Sequence, residues 1–94
     1  MIFRWDERKN RANRRKHRVS FETAIRIFED PNVISYLDGV VDGEERWHSI
    51  GCAGDIAILL VVHTIVEEHG EEEIRIISAR KATPSERDLY DAPE

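Results

Sequence analysis

Between Phe21 and Phe28 the apolar residues fall at Phe21, Ala24, Ile25 and Phe28, the i, i+3, i+4, i+7 spacing of one helix face. Ser20 stands before them as an N-cap, with Val19 and Ala24 at the two staple positions. Pro31 ends the segment and biases Asp30 out of the helical region. This helix is predicted to be the main layer on a sheet. The stretch before it has a different character. Residues 7–17, capped by Asp6, lack Gly and Pro but offer only Ala12, with Trp5 upstream, as an apolar anchor. A helix there can dock along a narrow stripe only, because short helices are marginal without tertiary packing. Ile2, Phe3, Arg4 and Trp5 have the composition of a short first strand.

From Val33 onward the period shortens. Residues 33–37 read as a strand, Asp38-Gly39 and Asp42-Gly43 as turns, and residues 45–52 as the next strand. There Arg46, His48 and Ile50 alternate with Trp47, Ser49 and Gly51. Ala53-Gly54-Asp55 closes a hairpin into residues 56–66, the most apolar run and so the expected centre of the sheet. Residues 67–72 read as an acidic hairpin loop, and residues 74–80 as the last strand. Strict alternation puts Ile74, Ile76, Ser78 and Arg80 on one face and Arg75, Ile77 and Ala79 on the other. Thr83-Pro84-Ser85-Glu86 is a complete helix start, with Thr at the N-cap, Pro at N1 and Glu at N3. The helix it opens carries Leu89 and Tyr90 before residues 91–94 fray. The fold class is therefore α+β: one domain over residues 1–94, an antiparallel sheet of four to five strands, two N-terminal helices on one face and a short C-terminal helix.

Composition changes this picture in one respect, which is charge. The net charge is −5, yet residues 1–19 carry eight Lys and Arg against Asp6 and Glu7, a local +6, so the remainder carries −11. A basic surface suited to a polyanion and an acidic one suited to a basic partner are expected, unless both are solvated faces. The basic first helix would lie exposed as a phosphate-facing rail. A lone Cys52 agrees with a reducing compartment, and neither a signal peptide nor a membrane-length apolar run is visible, so a cytoplasmic protein is expected.

The ordered set Trp5-Asp6, Lys9, Asn13, Lys16-His17, Val19-Ser20-Phe21, Ala24, Phe28 and Asp30 resembles the head of the BrnT family. Glu45, Arg46, Gly51, the run from Ile76 through Ala82, Glu86-Arg87 and Tyr90 resemble its tail. The resemblance spans nearly the entire chain. It implies a RelE-like fold and a ribonuclease toxin of a bacterial type II toxin–antitoxin pair. It also implies a ribbon-helix-helix antitoxin as partner (BrnA-like), and contact with DNA only through that antitoxin. One departure is Arg18, where the family often has Gly after the His; a positive φ there would cost about 1 kcal/mol.

Metal-free RNA cleavage needs a base for the 2′-hydroxyl, an acid for the departing 5′-oxygen and fixed positive charge on the phosphate. Arg46, Arg75 and Arg80 are the sheet arginines available for the third task, because a guanidinium forks two phosphate oxygens and stays charged. Alternation alone does not say which of the three share a face, and the alternative for each is a surface ion pair with one of the many Glu residues. His63, in the most apolar strand, is a candidate acid or base or else a hydrogen-bonded core histidine. Tyr90 is a candidate proton donor or stacking ring, or packs the last helix on the sheet. Glu86 is accounted for by the capping box, while the resemblance allows it as general base. Lys9, Lys16, His17 and Arg75 are the candidate RNA-binding residues, although helix capping also explains His17. His48, Cys52, His63 and His69 match no zinc template, and no Gly-rich phosphate loop or nucleophile elbow occurs, so no metal and no cofactor are expected. Two readings follow: an endoribonuclease toxin, or a catalytically inactive module that binds RNA or its antitoxin.

Overall fold

The computed structural model describes residues 1–92. Strand β1 (Ile2–Arg4) leads to helix α1 (Glu7–His17), whose first N–H groups are capped by the Asp6 carboxylate. Helix α2 is one turn (Phe21–Ala24), capped by Ser20, and continues as a 3₁₀ segment, Ile25–Glu29. The second helix is therefore tighter than its spacing suggested. A strand, β3 (Glu44–Ala53), passes directly beneath it: a Cβ on Gly51 would lie 2.9 Å from Ile27 Cβ and 3.1 Å from its carbonyl oxygen. Glycine at 51 is what lets the 3₁₀ segment approach that strand.

The remaining strands are β2 (Ile34–Val41), β4 (Ala57–Glu68) and β5 (Glu71–Lys81), followed by helix α3 (Pro84–Asp91). They form one five-stranded sheet in the order β1-β5-β4-β3-β2. The sheet is mixed, not wholly antiparallel, because β1 runs parallel to β5. A parallel neighbour needs a long crossover, and α1 through β4 supply it. Asp38-Gly39 is a register shift inside β2 rather than a turn. The acidic segment 67–72 is mostly strand: Glu67 faces Glu72 and Glu68 faces Glu71 around a tight turn, in which His69 and Gly70 have φ of 52° and 79°. Of the residues expected to fray, Asp91 is helical, while Pro93 and Glu94 lie outside the described residues. No helix among the described residues is long and apolar enough to cross a membrane.

A second register shift decides which residues share a face. Val62 pairs with Ser78 and His63 with Ile76, so Ile77 is an extra residue in β5. Strict alternation fails there, since such a bulge moves everything beyond it to the opposite side. Arg80 consequently lies on the face of Arg75 and Ser78, while Ala79 joins Ile74 and Ile76 in the core under the helices.

That core combines Phe21, Ala24, Ile27, Leu59, Val61, Ile74, Ile76 and Ala79, with α1, α2 and the 3₁₀ segment over it. Helix α3 packs on the other face, over Ile50, Leu60 and Ala82, with Tyr36 and Tyr90 beside them. Helix α1 is polar enough that its docking is done by amides. Asn13 Nδ2 donates to the Val19 and Ala79 carbonyls at 2.9 and 2.8 Å, and its Oδ1 accepts from Ala79 N–H at 3.2 Å. Asn10 Oδ1 accepts from Phe21 N–H at 2.8 Å. The C-cap of α1 is Arg18 in the left-handed region, φ 61°. Arg18→Gly is expected to stabilise the fold by about 1 kcal/mol, because glycine adopts this conformation without a Cβ penalty; thermal unfolding of the two proteins checks it.

Candidate functional site

Three rows of side chains cross the face of the sheet that the N-terminal helices leave open. The strand register aligns Arg80, Leu60, Ile50 and Ile34 in the first row, and Ser78, Val62, His48 and Tyr36 in the second. Arg75 and Thr64, with Arg46 opposite Gly39, make the third. Helix α3 covers the first row, so the second and third form the floor of a groove walled by its N-terminus. Four ladder steps separate Arg80 from Arg75, roughly 13 Å at the usual rise per residue.

Arg80 is held at the α3 wall by a fork: Nη1 and Nη2 donate to Glu86 Oε1 and Oε2 at 2.7 and 2.9 Å. Glu86 in turn completes the capping box, accepting from Thr83 N–H at 2.8 Å while Thr83 Oγ1 accepts from Glu86 N–H at 3.2 Å. The sequence fixes this locally, because Thr83-Pro84 starts the helix six residues after the bulge that turns Arg80 toward it. The Arg80 hydrogen bonds, outweighing burial, lower the Glu86 carboxyl from 4.5 to about 2. A carboxylate of that acidity is a weak base, so Glu86 is suited to positioning Arg80. A depressed carboxyl stabilises the fold fully above its unfolded value and loses that contribution as pH falls through its folded value. Wild type is therefore expected to melt above Glu86→Gln at pH 6, with the gap closing between about pH 4.5 and pH 2. Parallel thermal melts across that range check it.

At the far end of the groove Arg46 and Arg75 share one carboxylate. Glu44 Oε1 lies 3.6 Å from Arg46 Nη2 and also accepts from Arg75. Arg46 Nε is buried and, among the described residues, lacks a hydrogen-bond partner. Between the two arginine ends sit Tyr36 and His48, on adjacent strands with ring centroids 5.3 Å apart. His48 Nε2 lies 3.3 Å from Asp38 Oδ2, and Nδ1 lies 3.2 Å from the Tyr36 hydroxyl. A carboxylate only accepts, so Nε2 carries a proton, and Nδ1 accepts from the phenol when the ring is neutral. The shift at Asp38 makes this possible, placing an extra carboxylate beside a ring one strand away. Burial, then the charges of Glu86 and Asp38, push the Tyr36 hydroxyl above its usual range.

The other expected site residues lie elsewhere. His63 is fully buried on the helix side of the sheet, edge-on to Phe28. Its Nδ1 donates to the Thr64 carbonyl and its Nε2 accepts from Ser49, whose hydroxyl meets Ser35 at 2.6 Å. Burial lowers its pKa. No RNA can reach it there. Tyr90 packs against the α3 core and donates to Asp30, a bond that, with burial, pushes its hydroxyl up to about 12. Lys9, Lys16 and the half-buried His17 are on α1, across the sheet from the groove. Among the described residues no three His, Cys, Asp or Glu side chains gather as a metal site. His48 and Tyr36 were missed as a pair. The signal was the alternation Arg46, His48, Ile50, which already put an imidazole beside an arginine on one face.

Comparison with known proteins adds to this geometry. The family described as the ribonuclease toxin BrnT of type II toxin–antitoxin systems matches residues 5–86. Among solved structures, the crystal structure of the Brucella abortus ribonuclease toxin BrnT superposes with a TM-score of 0.61 at 22% identity. It covers 88% of this chain and 99% of that one. No curated protein matches the sequence.

Proposed function

This chain belongs to the BrnT family of ribonuclease toxins of type II toxin–antitoxin systems, and we propose that it cleaves RNA itself, without a metal, in the groove between Arg80 and Arg46. The observation that carries this reading is the placement of a Tyr36–His48–Asp38 chain between two arginine ends on one open face. His48, oriented by Asp38, takes the 2′-hydroxyl proton at Nδ1 as the Tyr36 hydroxyl turns from that nitrogen to the leaving oxygen. The 2′-oxygen attacks the phosphorus, the bond to the 5′-oxygen breaks, and a 2′,3′-cyclic phosphate forms. The neutral Tyr36 phenol gives its proton to the leaving oxygen. Arg80 meets the charge on the phosphorane, where a fixed donor acts most strongly, and Arg46, at the other end of the groove, faces the neighbouring phosphate. Arg75 binds the flanking phosphate. Glu86 is a positioning residue for Arg80, and His63 and Tyr90 are structural. The partner in this reading is a ribbon-helix-helix antitoxin that silences the groove in the cytoplasm, drawn to the acidic 67–72 hairpin by charge.

Incubating the purified chain with unstructured and structured RNA in excess EDTA tests it. Cyclic-phosphate ends are the expected products. A catalytically inactive module is the second reading, favoured by the carboxylate that each groove arginine already holds. Tight RNA binding with no fragments under any condition would establish that instead, and cleavage abolished by EDTA would overturn the metal-free step.

A further inference from the structure

Helix α1 carries a charge pattern that neither its docking nor the groove uses. Arg11, Arg14, Arg15 and Arg18 follow the i, i+3, i+4, i+7 spacing of one helix face. Here that face is arginine instead of apolar. All four are exposed, and among the described residues none forms a salt bridge. They line an open cavity of about 480 Å³. An adjoining cavity sets Arg11, Arg14 and Arg18 beside Glu7 and Glu22: Glu7 accepts from Trp5 and Asn10, Glu22 accepts from Asn10 at 2.7 Å, and that bond, with the charge of Arg14 behind it, lowers the Glu22 carboxyl. Like charges three and four residues apart repel along a helix, and Arg18 occupies a backbone conformation that costs a side-chain residue more than glycine. The helix dipole favours cations in the last turn and offsets part of that repulsion for Arg14 and Arg15, and the stripe as a whole is complementary to a row of anions.

Its position relates it to the groove. Asn13 bonds both polar atoms of the Ala79 backbone, so α1 crosses β5 one residue from Arg80, on the opposite side of the sheet. A polyanion leaving the Arg80 end of the groove meets α1 on rounding that end of the strand.

Building on the nuclease reading above, we propose that Arg11, Arg14, Arg15 and Arg18 form a second phosphate-binding site, which grips the backbone of the RNA substrate beyond the scissile bond. The substrate class is then a strand long enough to reach both faces, and selection is by length and charge, since backbone contacts carry no base readout. Lys9 and Lys16 lie on the other flank of the helix and are not part of it.

The test compares the chain with R11Q/R14Q/R15Q/R18G, in which exposed arginines become neutral and the one at positive φ becomes glycine. Each phosphate contact adds about 0.7 to the log–log salt slope for a single strand, so the slope for an RNA of about 30 nucleotides is expected to fall by about 3. Cleavage of that RNA at low salt falls about tenfold or more in kcat/KM, while cleavage of an oligonucleotide of about six nucleotides stays within twofold. Equal losses on both substrates, or an unchanged slope, would overturn the proposal. So would unchanged RNA binding with a collapse of antitoxin affinity, which would assign the stripe to the protein partner. If neither protein cleaves any RNA, the nuclease reading fails, and fluorescence anisotropy with the long RNA still decides the second site.

Discussion

Arg80→Ala is expected to lower RNA cleavage about 10²- to 10³-fold, the usual effect of removing one preorganised donor from a developing oxyanion. The loss should fall on kcat more than on KM, because the charge it meets grows in the transition state. Arg80→Lys separates charge from shape. Lysine restores a cation but not the fork that Glu86 orients, so it should recover only part of the activity. The substitution also removes the partner of Glu86 and loosens the start of α3, so a modest drop in melting temperature accompanies it. Glu86→Gln provides the control, since it loosens the same contact while leaving the guanidinium in place. If Arg80→Ala cleaved RNA as fast as the parent chain, the groove would not be where the reaction occurs.

That prediction rests on a face assignment which alternation alone had reversed. Counting by twos along β5 sets Arg75 against Arg80, and the single extra residue at Ile77 brings them together. A bulge leaves little trace in a sequence of apolar residues, because Ile76 and Ile77 are equally content in a strand. The parallel pairing of β1 was hidden for a related reason: three residues carry no direction, and only the rest of the chain decides which edge they reach. What was legible had a local cause. The Asp6, Ser20 and Thr83 caps, the turn at Asp42-Gly43 and the central place of β4 each follow from residues within a few positions of one another. The choice between two histidines was not local. His63 sits in the more apolar strand and looked set apart there, whereas the same strand is the reason it is sealed beneath Phe28. His48, one strand outward, keeps an edge toward the groove.

His48→Ala is expected to cost 10²- to 10⁴-fold in cleavage, the range for losing a positioned general acid or base. Fold stability should change little beyond the loss of ring contact with Tyr36, since the ring spans two groups that each retain access to water. Asp38→Asn should have a smaller effect. The amide can still meet Nε2, but it no longer enforces the tautomer in which Nδ1 is free to accept. Tyr36→Phe removes the proton that Nδ1 accepts in the resting site and that the leaving oxygen receives. If Tyr36 and His48 act as one chain, the double variant loses about as much as His48→Ala alone rather than the product of the two losses. Single-turnover rates on one RNA, measured for the two single variants and the double, distinguish those outcomes. Fully multiplicative losses would mean that the two side chains act separately, and full activity in His48→Ala would remove the imidazole from the mechanism altogether.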